Sequence, residues 1–264
     1  MKNNSYLQIT TLLLLIQVLC LPGCGTTGGF ASWFGFGGGP SAPETPDSMA
    51  MHAMEDYNRG NYTDALKTFE DIKERYPFSP QSMLAELKSA DCQYYLDNFA
   101  EAISEYEEFE TNHPTNEAIP YVLFQIAMSH YNQIDTIDRD PGAAIDAIAG
   151  FLKLIKAFPD SAYVVEANAR VLAARNFLAN HEFYIATYYI RTDSLPMAEA
   201  RLRYLLANYP ETSVAEKAKT IIEEIEAGNP PKRTWRDWIP DISLPDWHTF
   251  TSITPGKGGS QTPQ

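Results

Sequence analysis

The stretch DALKTFEDIKERYP, Asp64 to Pro77, decides the fold. Its residues Ala65, Phe69 and Ile72 stand four and then three apart, which gathers them on one face of a helix. Pro77 cannot continue that helix, and it steers Tyr76 before it out of the α region. A single amphipathic helix often shows this much, so the weight rests on recurrence. The pattern returns in EAISEYEEFETNHP ending at Pro114, DAIAGFLKLIKAFP at Pro159 and AEARLRYLLANYP at Pro210. The alanine falls at Ala102, Ala147 and Ala198, and the large apolar residue four later at Tyr106, Phe151 and Leu202. Three further on come Phe109, Leu154 and Leu205, and the prolines lie 37, 45 and 51 residues apart.

Alanine, apolar groups at +4 and +7 and proline at +12 is similar to the second helix of the tetratricopeptide repeat, a helix pair of about 34 residues. The small alanine lets the two helices approach where they cross. The first-helix halves match more loosely. RGNYTDA places the inter-helix turn at Gly60 with Tyr62 behind it, and LDNFAEA repeats this with Asn98 and Phe99. EFYIATYYIRTDSLPMAEA sets Ile185, Ala186 and Tyr189 at the family's Leu-Gly-Tyr positions. The third interval holds an acidic loop, QIDTIDRDPGA, with Pro141 expected in the first turn of the next helix. The fourth holds an extra helix, SAYVVEANARVLAARNFLANHE. The expected class is all-α, a tetratricopeptide-repeat superhelical solenoid of antiparallel helix pairs over 48–228. It has four repeats plus a final helix, SVAEKAKTIIEEIEAG, stopped by Gly228 and Pro230.

At the amino terminus a polar start with Lys2 precedes an apolar run from Leu12 to Leu21. That run is shorter than the roughly 20 residues a membrane-spanning helix needs, and it has the length of a signal-peptide core. It ends in LPGC, where Leu21, Gly23 and Cys24 resemble the bacterial lipobox. The resemblance implies a lipoprotein signal peptide at 1–23 and a mature chain starting at Cys24, which bears diacylglycerol and an N-acyl chain. Several acyl chains make a stable anchor. Cys20 fits poorly, because bulky Leu19 precedes it. Cys92 lies in an apolar helical pattern and reads as a small core residue. The Gly-, Ser- and Pro-rich segment 24–47 reads as a flexible linker. Its aromatics Phe30, Trp33, Phe34 and Phe36 suit either the lipid interface or the chain's own surface.

Twenty Lys and Arg against 34 Asp and Glu give a net charge of −14, which disfavours nucleic acid and anionic lipid head groups as partners. The five histidines are scattered, and no nucleophile elbow or phosphate loop is present. Asp135, Asp138 and Asp140 lack the turn glycine and distal glutamate of a calcium loop, so they read as a solvated loop. These features point to a binding protein, with no cofactor or metal expected beyond the lipid. Stacked first helices line a concave groove, and the alignment turns Tyr57, Asn58, Asp91, Tyr94, Tyr95, Tyr131 and Asn132 towards it. Tyrosines offer broad amphipathic contact and amides pair with peptide backbone. The same tyrosines also suit helix–helix contacts.

The tail, 229–264, holds Trp235, Trp238 and Trp247 interleaved with Pro240 and Pro245. Proline spacing makes an extended segment, whose tryptophans either anchor a partner or cap the last repeat.

The lipobox cysteine, the tether and repeats from Ser48 resemble the BamD family, lipoproteins of the outer-membrane β-barrel assembly machine. More specific are FPDSAY at Phe158 to Tyr163, the run RNFLANHEFYIATYYIR and YPETSVAEKA. Glu182, Tyr184, Tyr188, Tyr189 and Arg191 hold places in a family helix, with Phe183 added between the first two. The resemblance, over Met49 to Ala227, implies lipid anchoring at the periplasmic face of the outer membrane, in keeping with Gly25 rather than aspartate after Cys24. It implies that the groove receives unfolded outer-membrane protein precursors. It further implies contact with the barrel-forming subunit, which has periplasmic repeat domains, and with other assembly lipoproteins; Arg191 is a candidate there. The family usually has a fifth repeat, whereas here one helix follows Pro210. The alternative is a scaffold organising other cell-envelope proteins.

Overall fold

Ala65, Ala102, Ala147 and Ala198 have no exposed surface, and neither do Phe69, Tyr106, Phe151 and Leu202 one turn later. The recurring stripe is therefore the core-facing side of every second helix. The computed structural model describes residues 44–231. The chain divides into two units, Met1–Thr45 and Pro46–Gln264, and all described helices belong to the second.

Among the described residues there are nine helices and no strand: α1 Pro46–Arg59, α2 Tyr62–Arg75, α3 Pro80–Tyr95, α4 Phe99–Asn112, α5 Ile119–Asn132, α6 Gly142–Ala157, α7 Val164–Arg191, α8 Leu195–Asn208 and α9 Ala215–Glu226. Each packs on its chain neighbours, and α1 also meets α3, as α5 meets α7. This is the tetratricopeptide-repeat solenoid, with α2, α4, α6 and α8 as second helices. Those four are capped by Tyr76, His113, Phe158 and Tyr209, immediately before the aligned prolines. None of the described helices is long and apolar enough to cross a membrane.

Four first helices, α1, α3, α7 and α9, end on one device. Gly60 (φ 84°), Asp97 (φ 60°), Asp193 (φ 64°) and Gly228 (φ 70°) are left-handed. Each donates its N–H to the carbonyl three residues back: Tyr57, Tyr94, Ile190 and Ile225. The next N–H reaches back five, to Asp56, Gln93, Tyr189 and Glu224, as in a Schellman stop. The turn of repeat two thus hinges on Asp97 rather than Asn98. Helix α9 ends as α1 does, with the stop of a first helix.

Three expectations need correction. Helix α1 starts at Pro46 rather than Ser48. Pro141 is the N-cap of α6, one residue before its first turn. The extra helix of the fourth interval is not separate: α7 is one helix of 28 residues, continuous with the first helix of repeat four. No glycine or proline interrupts Val164 to Arg191, and Asn180 donates to the carbonyl of Asn176 within the helix. Its Ala167 and Ala174 join the core around α5, while Ala179, Phe183 and Ala186 join the core of α8 and α9.

Helix α5 is buried from Val122 to Ser129 because α4, α6 and α7 surround it. A Cβ at Gly150 on α6 would lie 2.9 Å from the Ala127 Cβ, so the closest approach of the two helices needs glycine there. The acidic loop is tied down internally. Arg139 pairs with Asp135 at 2.5 Å, and Asp140 accepts the Gly142 N–H at 3.0 Å. His181 of α7 donates to the Ile137 carbonyl at 2.6 Å.

Candidate protein-binding face

Asp91 of α3 has no exposed surface, and a buried carboxylate needs donors. Four reach it from three directions. Tyr106 of α4 donates to Oδ1 at 2.6 Å, and Tyr121 of α5 donates to the same oxygen at 2.8 Å. Tyr57 of α1 donates to Oδ2 at 3.3 Å and Lys88, one turn back on α3, at 2.7 Å. The Lys88 ammonium also lies 4.5 Å from the Tyr57 ring centre. One carboxylate thereby joins the first helices of repeats one, two and three. Burial, and then the Asp91 charge, push the phenols of Tyr57, Tyr106 and Tyr121 well above their ordinary value. All three stay neutral donors.

Around this centre the rings interlock. Tyr62 stacks on Tyr95 at 4.6 Å, Tyr57 meets Tyr95 edge-on at 6.0 Å, and Tyr94 meets Tyr95 at 5.5 Å. Asn132 donates to the Tyr94 hydroxyl at 2.9 Å, tying α5 to α3. On the other side Tyr163 stacks on Phe124 at 5.1 Å, and the Arg170 guanidinium lies 5.0 Å from the Tyr131 ring centre. The result is a continuous tyrosine layer on the first helices of repeats one to three, with Tyr95 the most open ring at 47 % exposure. No group in it is activated as a nucleophile. Burial pushes the nearby Cys92 thiol up to about 12, so it too is inert.

The expected groove residues divide accordingly. Tyr57, Tyr94 and Tyr95 come together, while Asn58 and Asn132 are exposed at the helix ends. Asp91 and Tyr131 are buried, so Asp91 offers no surface of its own; it accepts from Tyr57 and Tyr121, which are half-buried. Sequence reasoning missed Tyr121, Tyr106 and Lys88. Tyr106 carried a signal, because it puts a hydroxyl at the fully buried position that Phe69, Phe151 and Leu202 fill with hydrocarbon. Arg191 is exposed at the end of α7, away from this layer, and Tyr188 nearby is 52 % exposed. Cys24, Trp235, Trp238 and Trp247 lie outside the described residues.

The family model described as an outer membrane lipoprotein (YfiO) matches residues 44–229. The chain is 30 % identical over 200 residues to the outer membrane protein assembly factor BamD of Vibrio cholerae, covering 71 % of this chain and 83 % of that one. To BamD of Neisseria gonorrhoeae it is 29 % identical over 187 residues, covering 67 % and 70 %. A thermophilic tetratricopeptide-repeat protein of Thermus thermophilus overlaps with a TM-score of 0.37 at 16 % identity, over 69 % of this chain and 100 % of that one. That likeness is too distant to add to the helix pattern itself. With its repeats, its FPDSAY block and its matched span, the chain belongs to the YfiO outer membrane lipoprotein family, in which BamD proteins are its relatives.

Proposed function

We propose that this chain is an outer membrane protein assembly factor. It is held at the periplasmic face by lipid on Cys24 and presents the tyrosine layer of repeats one to three to unfolded outer-membrane protein precursors. The single observation behind the binding site is the buried Asp91, which fixes Tyr57 and Tyr121 from two other helices. Rigid, neutral phenols give wide contact at low entropy cost. Helix amides such as Asn58 and Asn132 add hydrogen bonds to an extended backbone. The barrel-forming subunit and other assembly lipoproteins are the expected partners. Depletion of the chain tests the function: outer-membrane barrels should fall together. Their persistence, with division or cell-wall proteins recovered in a pull-down, would establish the scaffold instead. For the site, Tyr95→Ala should weaken photo-crosslinking of precursor segments severalfold while leaving the barrel-forming subunit in the pull-down.

A further inference from the structure

The tyrosine layer lies on first helices, whereas the second helices of repeats two and three, α4 and α6, leave a groove between them. Two adjoining hollows of about 430 and 440 Å³ lie in it and share His130 and Asp146. Leu123 and Ile126 of α5 form an apolar floor, and the small residues Ala143 and Ala149 keep the α6 wall low. On α4 one hollow takes Ala100 and Ile103, and the other takes Glu107 and Glu110. The second pair stands seven positions after the first, so the hollows repeat at about 10.5 Å along the groove.

The unpaired charge of these walls is negative. Helix α2 carries Lys67, Lys73 and Arg75, α6 carries Lys153 and Lys156, and α8 carries Arg201 and Arg203. Helix α4 carries Glu101, Glu105, Glu107, Glu108 and Glu110, with neither lysine nor arginine. Lys73 pairs with Glu105 at 3.4 Å and Lys153 with Glu110 at 2.8 Å. Among the described residues no cation pairs with Glu107, Asp140 or Asp146, all of which line the hollows.

We propose that this groove receives a helix of a partner protein, one with apolar side chains at positions i and i+7 and lysine or arginine on both flanks. Two turns of an α-helix rise about 10.5 Å, which is the spacing of the hollows. An extended segment matches it poorly, because its same-face side chains fall at about 6.6 and 13 Å. The flanking cations meet the carboxylates that this chain leaves unneutralised, and a groove lined by one sign of charge steers them in. Apolar anchors in the hollows supply affinity, and the flanking charges select the partner. Such docking is independent of precursor binding on the tyrosine layer.

The test uses the full chain in detergent and a fluorescein-labelled, alanine-based synthetic helix with leucine at i and i+7 and lysines on both flanks. Fluorescence anisotropy should show saturable binding. Glu107→Lys with Asp146→Lys, both exposed positions, should weaken it about tenfold or more. The same change of charge on α9, Glu216→Lys with Glu223→Lys, also exposed, should leave it within about twofold. A second peptide, its leucine moved from i+7 to i+11, keeps its charge and its apolar face but spaces the anchors about 16.5 Å apart. It should bind severalfold more weakly. That comparison alters no residue of the protein, so it keeps the test sharp if the groove variant loses helicity. Tyr95→Ala should leave peptide binding unchanged, which separates the groove from the tyrosine layer. Absence of saturable binding would overturn the proposal, as would equal binding of the two peptides or equal losses in the groove and α9 variants. A benzophenone side chain in place of Ala149 should crosslink to the peptide. Crosslinking instead to this chain's own termini or to a second copy would overturn it too.

Discussion

Repeats one to three and repeat four share a second-helix frame and fill it differently. Where repeat two places Tyr106, repeat four places Leu202, both fully buried. Behind Tyr106 lies the Asp91 carboxylate with its four donors. Behind Leu202 lie Leu205, Ala215, Ala218 and Ile222, and the buried hydroxyls of this region, Thr187 and Thr212, donate to backbone carbonyls three residues back, at Tyr184 and Tyr209. Repeat four is rimmed instead by partly exposed ion pairs: Arg201 with Glu182 at 3.2 Å, Arg203 with Glu199 and Glu226, and Arg175 with Glu211. A hydrocarbon core tolerates small rearrangements of similar volume. A buried carboxylate shared by several hydroxyls has few alternative arrangements, because each misplaced donor strands a polar atom. The first region is thus specified by chemistry and holds its tyrosine face in one geometry. The second is specified mainly by volume.

The sharpest way to break this comparison is to remove the hub. Asp91→Ala leaves Lys88 and three hydroxyls without their acceptor and should cost about 3–5 kcal/mol, read from urea unfolding. A loss below about 1 kcal/mol would mean that the network adds nothing beyond packing. Volume-conserving changes sharpen the contrast. Tyr106→Phe removes the hydrogen bond to the Asp91 charge and the weaker one accepted from Gln125 at 3.5 Å, and should cost about 1.5–3 kcal/mol. Leu202→Met, at the equivalent buried place, should cost less than about 1.5 kcal/mol. Equal losses would erase the distinction between the halves.

A third variant tests whether close helix approach also belongs to the first region. At Gly150 an added methyl meets the Ala127 Cβ at 2.9 Å and its Cα at 3.2 Å, backbone that cannot swing aside. Gly150→Ala gains about 1 kcal/mol of helix propensity, yet overpacking should leave a net cost of about 1–2 kcal/mol. A stabilised variant would show that α5 and α6 separate freely.

What the sequence made legible follows from these energetics. Core positions repeat, so Ala65, Phe69 and Ile72 could be matched to their counterparts without any structure. The prolines marked the helix ends because proline forbids continuation at each of them. The Asp91 hub does not repeat. It joins residues 15 to 34 positions apart, and no periodicity announces such a meeting. The fused α7 was hidden for a different reason: repeat logic expects a break, and only the absence of glycine and proline argued otherwise. Gly60 revealed its turn, while Asp97 and Asp193 hid theirs, since aspartate adopts the left-handed region at a cost. That cost is testable. Asp97→Gly should raise stability by about 0.5–1 kcal/mol, the relief of strain exceeding the added unfolded-state freedom. Destabilisation would assign the Asp97 side chain a role that the structure does not give it.

The smallest expected effect lies at the rim of repeat four. Arg175 donates to Glu211 through Nε and to the Asn208 carbonyl at 2.6 Å, with its guanidinium 5.2 Å from the Tyr209 ring centre. Hydrogen bonding from Arg175 holds the Glu211 carboxyl below its ordinary value of 4.5. A depressed acid stabilises the fold while it is ionised. The contribution is therefore whole above the ordinary value and disappears as pH falls through the lowered one. Both partners are partly solvated, with 32 % and 39 % of their side chains exposed, so Glu211→Gln should cost under about 1 kcal/mol at neutral pH. The cost should shrink further in molar salt. Thermal melts of the variant and its parent should converge in acid, and convergence already at neutral pH would leave the pair with no stabilising role. A neutral-pH loss as large as that of Tyr106→Phe would show that repeat four is also held by specific polar contacts, and the division between the two regions would fail.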